Sequence, residues 1–192
     1  MPDFLNRPDC ERRFREGKQL IDAGKMEQAR AVLDDVVRRC PDHREARRSL
    51  SECLLRQNRF TEALEHIRAN LMASRVDAED LVAFAIAAQM TGDLNGVNDA
   101  IRRARELAPD NASIQQGIAV AMLNGGDLEN GMRSARRAVE LAPHKAFPHA
   151  TLGDAYLKMG RENEAEGSFN RAIDLEPDND HHKLVLVPLL LR

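Results

Sequence analysis

The stretch Leu152–Pro177, LGDAYLKMGRENEAEGSFNRAIDLEP, decides the fold. Leu152, Gly153 and Tyr156 precede a glycine, Gly160, and Ala165, Phe169 and Ala172 follow it, each set at helical spacing. Glycine suits the left-handed conformation that ends a helix, and Pro177 stops a second one. The stretch predicts a helix, a tight turn and a second helix facing the first.

The pattern recurs outward at a stride of 34 residues. Gly160 maps to Gly126, Gly92, Asn58 and Gly24, all residue types that tolerate a left-handed turn. Pro177 maps to Pro143, Pro109, Arg75 and Pro41, Ala165 to Gly131, Val97, Ala63 and Ala29, and Phe169 to Ala135, Ile101, Ile67 and Leu33. Gly153 maps to Ala119, Ala85, Ser51 and Gly17, all small, so that a facing helix can approach closely. Asp42, Asp110 and Asp178 follow their prolines as candidate helix caps. The second unit departs at Asn70 and Arg75, where alanine and proline are expected, so its second helix should run long or end irregularly. The fourth collects Gly117, Gly125, Gly126 and Gly131, read as close helix packing or as a soft point.

A helix pair at this stride resembles the tetratricopeptide repeat, whose pattern is W-x2-L-G-x2-Y, then A-x3-F, then P. Leu152, Gly153, Tyr156, Ala165, Phe169 and Pro177 match it, and His149 stands in place of the tryptophan. The resemblance implies an all-α fold, an α-solenoid (right-handed superhelix) of about five repeats. They fall at 10–43, 44–77, 78–111, 112–145 and 146–179, after an extension at 1–9 and before an apolar tail at 180–192.

One hairpin cannot bury its apolar face alone, so repeats must stack, and in this family the first helix of each pair lines the concave side. Projected by the family register, the candidate partner-binding groove comprises Phe14, Lys18, Arg48, Glu52, Val82 and Ile86, then Met90, Gln116, Val120, Leu123, Asp154 and Lys158. Its middle is apolar and its ends are charged, which fits a protein or peptide ligand with an apolar segment. A one-residue error in register would instead make the apolar members core. Some family members clamp a C-terminal carboxylate with lysine and asparagine; those positions here read Phe14, Lys18, Ser49, Glu79 and Ala83, which argues against that clamp.

The implied function is a non-catalytic interaction scaffold or adaptor, with alternatives in a dedicated chaperone for an apolar client segment and a regulatory module of an enzyme assembly. Composition agrees: 43 % apolar residues, 4 % aromatic, no tryptophan and a net charge of −3. Residues 1–75 carry a charge of +3 and the remainder −6, too weak a basic bias for nucleic acid. No apolar run reaches the roughly 20 residues that cross a bilayer. Cys10, Cys40 and Cys53 are odd in number and fit no metal spacing, so they read as reduced thiols of a cytoplasmic protein, although Cys10 and Cys40 lie at opposite ends of one hairpin. Neither His144 and His149 nor His181 and His182 have the spacing of a zinc site, NGGD at 124–127 lacks the rest of a phosphate loop, and no catalytic trio stands out, so no metal, cofactor or enzymatic role is expected. Arg102–Arg103 and Arg136–Arg137 recur one stride apart on second helices, expected on the wet outer face, with a phosphate-binding ridge as the alternative. The tail from Leu184 to Leu191 is apolar except at Pro188 and has three readings: a cap on the last repeat, a segment that drives self-association, or the start of a longer chain.

Overall fold

The structure is a computed structural model that describes residues 7–72 and 76–177. All regular structure among them is α-helical. Ten helices follow in order: α1 Arg7–Asp22, α2 Met26–Arg39, α3 Arg44–Arg56, α4 Phe60–Leu71, α5 Ala78–Thr91, α6 Val97–Leu107, α7 Ala112–Asn124, α8 Leu128–Leu141, α9 Ala146–Lys158 and α10 Glu162–Leu175. Arg75, Asp178 and the tail with its proposed self-association segment lie outside the described residues.

The residues of the 34-residue stride do the work that their chemistry suggests. Gly24, Asn58, Gly92, Gly126 and Gly160 all have positive φ, between 58° and 84°. Four of these turns close alike: the N–H groups of Lys25, Arg59, Asp127 and Arg161 donate to the carbonyls of Leu20, Leu54, Met122 and Tyr156 at 2.8–2.9 Å, satisfying groups the helix end leaves open. The turn after α5 closes differently. The Thr91 hydroxyl donates at 3.2 Å to Ala87 and Ala88 carbonyls, and a second left-handed residue, Gly96 at φ 78°, delays α6. The counterparts of its start, Met26, Phe60, Leu128 and Glu162, all map to Leu94, yet α6 begins three residues later at Val97.

The chain divides into two compact units near this turn, residues 1–95 and 96–192. In the first, α1 pairs with α2 and α3 with α4, while α2 packs on α3 and α5 on α4. In the second, α7 pairs with α8 and α9 with α10, while α8 packs on α9 and α6 on α7. Close approach depends on small residues. A methyl group at Gly17 would come within 2.7 Å of Leu33, and one at Gly153 within 2.7 Å of Phe169, the same small-against-large lock four repeats apart. Gly131 is likewise filled by Leu123, which accounts for one of the fourth repeat's glycines as close packing. Fully buried Leu33, Val36, Ala135 and Ala172 continue the apolar seam.

The missing tryptophan has a physical replacement. His149, with Nε2 carrying the proton, and the Gln115 amide each donate at 2.9 Å to the carbonyl of the proline six residues earlier, Pro143 and Pro109. Arg47 does the same to Pro41. At the third repeat, where Arg75 replaces the proline, the residue is Leu81 and it is buried.

Four expectations are corrected. Helix α1 starts at Arg7, inside the expected extension, because Pro8 lies in a first turn that needs no N–H from it. The caps are one residue later than the aspartates: His43 Nδ1 accepts from Ala46 N–H, and Asn111 Oδ1 from Ser113 and Ile114 N–H. Asp110 instead pairs with Arg137 at 2.8 Å. Helix α4 does not run long; it ends at Leu71 after 12 residues against 14 for α2. Cys10 and Cys40 are not reduced thiols but form a disulfide, with Cα atoms 6.6 Å apart, that ties the first turn of α1 to the end of α2.

Candidate functional surfaces

The first-helix positions are described for each unit separately. In the first unit, Phe14 is partly covered, its ring tilted 54° against His43 with centroids 4.7 Å apart, and Lys18 is exposed one turn further along α1. Glu52 is paired with Arg56 at 2.8 Å. Along α5 the apolar residues emerge progressively: Val82 is buried, Ile86 half-buried and Met90 48 % exposed. Helix α5 therefore leaves Met90 exposed and Ile86 in part, while Val82 belongs to the core.

Arg48 is not a free cation. Its guanidinium donates to Asp80 at 2.9 and 3.0 Å and to Asp77 at 2.5 Å, joining α3 to the start of α5. Asp80 above all, with Asp77, pushes the Arg48 pKa above the ordinary arginine value. Asp80 is 1 % exposed and also accepts from Arg44 at 3.2 Å and from the buried Asn70 amide at 3.2 Å. Asn70 Oδ1 in turn accepts from Arg47 at 2.7 Å, and its amide reaches the Arg44 carbonyl at 3.3 Å. A buried carboxylate needs such a set, because an unpaired one would cost several kcal/mol (about 3–5 on losing its partner). The cluster fixes α5 against α3 and α4 and so sets where Ile86 and Met90 stand.

In the second unit, the Gln116 amide donates to Thr151 Oγ1 at 3.1 Å, linking α7 to α9. Val120 is half-buried, and Asp154 and Lys158 are exposed on α9. Leu123 is 4 % exposed and packs with Ala119, Met132, Ala135 and Ala155; it is a core residue and is removed from the groove. Phe147 is 50 % exposed at the start of α9.

The sequence signal for the Asn70–Asp80 cluster lies in two departures from the stride taken together. Asp80 maps to Arg12 in the first repeat and to Ala46, Ile114 and Pro148 in the others, the last three buried, so an acid there is as anomalous as Asn70 at an alanine position. Two polar residues at packing positions of adjacent helices are a signal that they meet.

Among the described residues, no three or more His, Cys, Asp and Glu side chains gather as a metal site, and no helix is long and apolar enough to cross a membrane. Burial, with Glu52 nearby, pushes the Cys53 thiol up to about 11, so the unbridged cysteine is protonated and poorly nucleophilic at neutral pH.

Two family models, both for the tetratricopeptide repeat, match residues 14–74 and 146–179. Solved structures with a similar fold include TTC0263, a thermophilic TPR protein of Thermus thermophilus, at 18 % identity and a TM-score of 0.84, covering 95 % of this chain and 100 % of that one. YrrB, described as a TPR protein with an unusual peptide-binding site, aligns at 16 % identity and a TM-score of 0.56 over 94 % of this chain and 93 % of that one. The human IFIT1 dimer with m7Gppp-AAAA aligns at 16 % identity and a TM-score of 0.83, over 95 % of this chain but 46 % of that one. No curated protein matches the sequence.

Proposed function

Because the chain belongs to the tetratricopeptide repeat family, a family of protein-interaction modules, we propose that it is a non-catalytic scaffold whose first-helix surface holds an apolar peptide or helix of a partner protein. The observation that supports this reading is on α5. Its sequence, AEDLVAFAIAAQMT, is apolar nearly all round, as in a fully buried helix, yet Met90 is exposed and Ile86 only half-buried. An apolar strip left open on a rigidly anchored helix suits an apolar ligand, and methionine adapts to varied shapes. Val120 and Phe147 supply a comparable apolar face in the second unit, with Lys158 available for a carboxylate.

The test is a peptide-display selection against the full chain. The reading expects recovered peptides to share apolar residues at helical or alternating spacing, and expects Ile86→Asp and Met90→Asp to weaken their binding at least tenfold with helicity unchanged. Binding that is indifferent to both substitutions defeats it.

The Cys10–Cys40 bridge bears on where the protein works, whether as a scaffold or as a chaperone for an apolar client segment. The cytoplasmic location expected from the sequence rested on reduced thiols, and a disulfide fits oxidising surroundings better. Mass spectrometry of alkylated protein from its native source tests the location: a bridged Cys10–Cys40 pair supports oxidising surroundings, and two alkylated thiols restore the cytoplasmic expectation.

A further inference from the structure

A cavity of about 540 Å³ opens between α6 and α8, on second helices and apart from the first-helix surface. Four guanidinium groups line it: Arg105 from α6, and Arg133, Arg136 and Arg137 from α8, the last three at spacings of three and four residues that put them on one face. The floor is built. Ser134 is buried and accepts from Arg105 at 3.3 Å across the two helices, and the Gln115 side chain beside it is held by Pro109.

The pairing of these arginines is unusual for this chain. Most of its other described arginines stand beside carboxylates, as in Arg12–Asp9, Arg59–Glu62, Arg102–Asp99 and Arg161–Glu164, whereas four that are not all so paired gather at the cavity. At the cavity only Arg137 is so engaged, by Glu140 at 3.0 Å and Asp110 at 2.8 Å. Arg105 has only the Ser134 hydroxyl, Arg133 only the Asn130 side-chain oxygen at 3.0 Å, and Arg136 has neither an ion pair nor a side-chain hydrogen bond among the described residues. Glu129 and Glu140 are the carboxylates in the lining, so four positive charges face two negative ones.

The geometry points to a binding site for a phosphate or diphosphate group carried by a small molecule, gripped by Arg105, Arg133 and Arg136. Guanidinium forks match phosphoryl oxygens two at a time, and a multiply charged anion supplies in one compact group the countercharge that three arginines lack. A cavity of this volume admits such a group with an organic body attached. The site is independent of the proposed peptide surface, and the failure of either leaves the other standing.

Calorimetric titration of the full chain with inorganic phosphate and inorganic pyrophosphate tests it. The expected result is saturable one-to-one binding, tighter for pyrophosphate and weakened by added salt. Arg136→Ala and Arg105→Ala should each weaken it at least fivefold, and Glu129→Gln should strengthen it, with helicity unchanged in all three. Arg171→Ala, at an exposed arginine of α10 outside the cavity, should leave it unaltered. Saturable binding of pyrophosphate alone points to a diphosphate-bearing ligand, and equal binding of both to a single phosphate. Absence of saturation up to millimolar concentration, or equal loss in Arg171→Ala and Arg136→Ala, overturns the assignment.

Discussion

A glycine in a helix is a cost or a necessity according to what faces it, and α9 and α10 hold one of each. A methyl group at Gly153 would meet Phe169 ring atoms at 2.7–2.9 Å, whereas one at Gly167 would meet nothing within 4 Å. The same substitution should therefore have opposite signs. Gly153→Ala is expected to destabilise by about 1–3 kcal/mol through overpacking, and Gly167→Ala to stabilise by about 0.5–1 kcal/mol through the lost backbone entropy of glycine. Urea unfolding of the two variants checks both. The residue scale is also where the sequence was most legible. A strict stride exposes positions such as Leu33, Ile67 and Phe169, because each repeat must bury the same seam. The substitution of His149 for tryptophan was visible as a loss, but its bond to Pro143 was not, since a side chain that reaches a carbonyl six residues back leaves no periodic trace.

Elements are positioned by what joins them, and α5 is joined by a buried carboxylate. Asp80→Ala should cost about 1–3 kcal/mol, because Arg48, Arg44 and the Asn70 amide each lose one acceptor while Asp77 and the Arg44 carbonyl remain to them. Asp93→Ala, which breaks a more exposed pair with Arg68, should cost less than about 1 kcal/mol. Chemical denaturation measures the contrast. The late start of α6 belongs to this scale as well. Gly92 matched the stride, but Gly96 did not announce itself, because one extra left-handed residue changes a helix boundary without changing its apolar pattern. Two members of the projected groove, Val82 and Leu123, are buried for a related reason. Family register assigns a face, but burial depends on neighbours, and Leu123 turned inward because Gly131 left space for it.

For the molecule as a whole, the covalent staple lies in one unit only. The bridge spans 30 residues within the first unit, and the second has none among the described residues. In the chain-entropy account, closing a loop of that length is worth about 3–4 kcal/mol. Amide exchange with and without reductant should thus accelerate in α1 and α2 and remain unchanged in α7 to α10. Thiol chemistry gives a companion result. Under native conditions at pH 8, Cys53 should resist alkylation, since burial raises its pKa to about 11. Unfolding without reductant should expose one thiol, and unfolding with reductant three. The raised thiol pKa also fixes a sign: its contribution to stability persists below the ordinary value near 9 and falls as pH rises from there towards about 11.

The turn at Gly24 carries exposed Lys25, a peptide bond open to trypsin-like attack. Because Cys10 and Cys40 flank that turn, a clip there leaves the severed α1 tethered to the remainder through sulfur. Such a nicked chain keeps its full mass until a reductant parts the pieces.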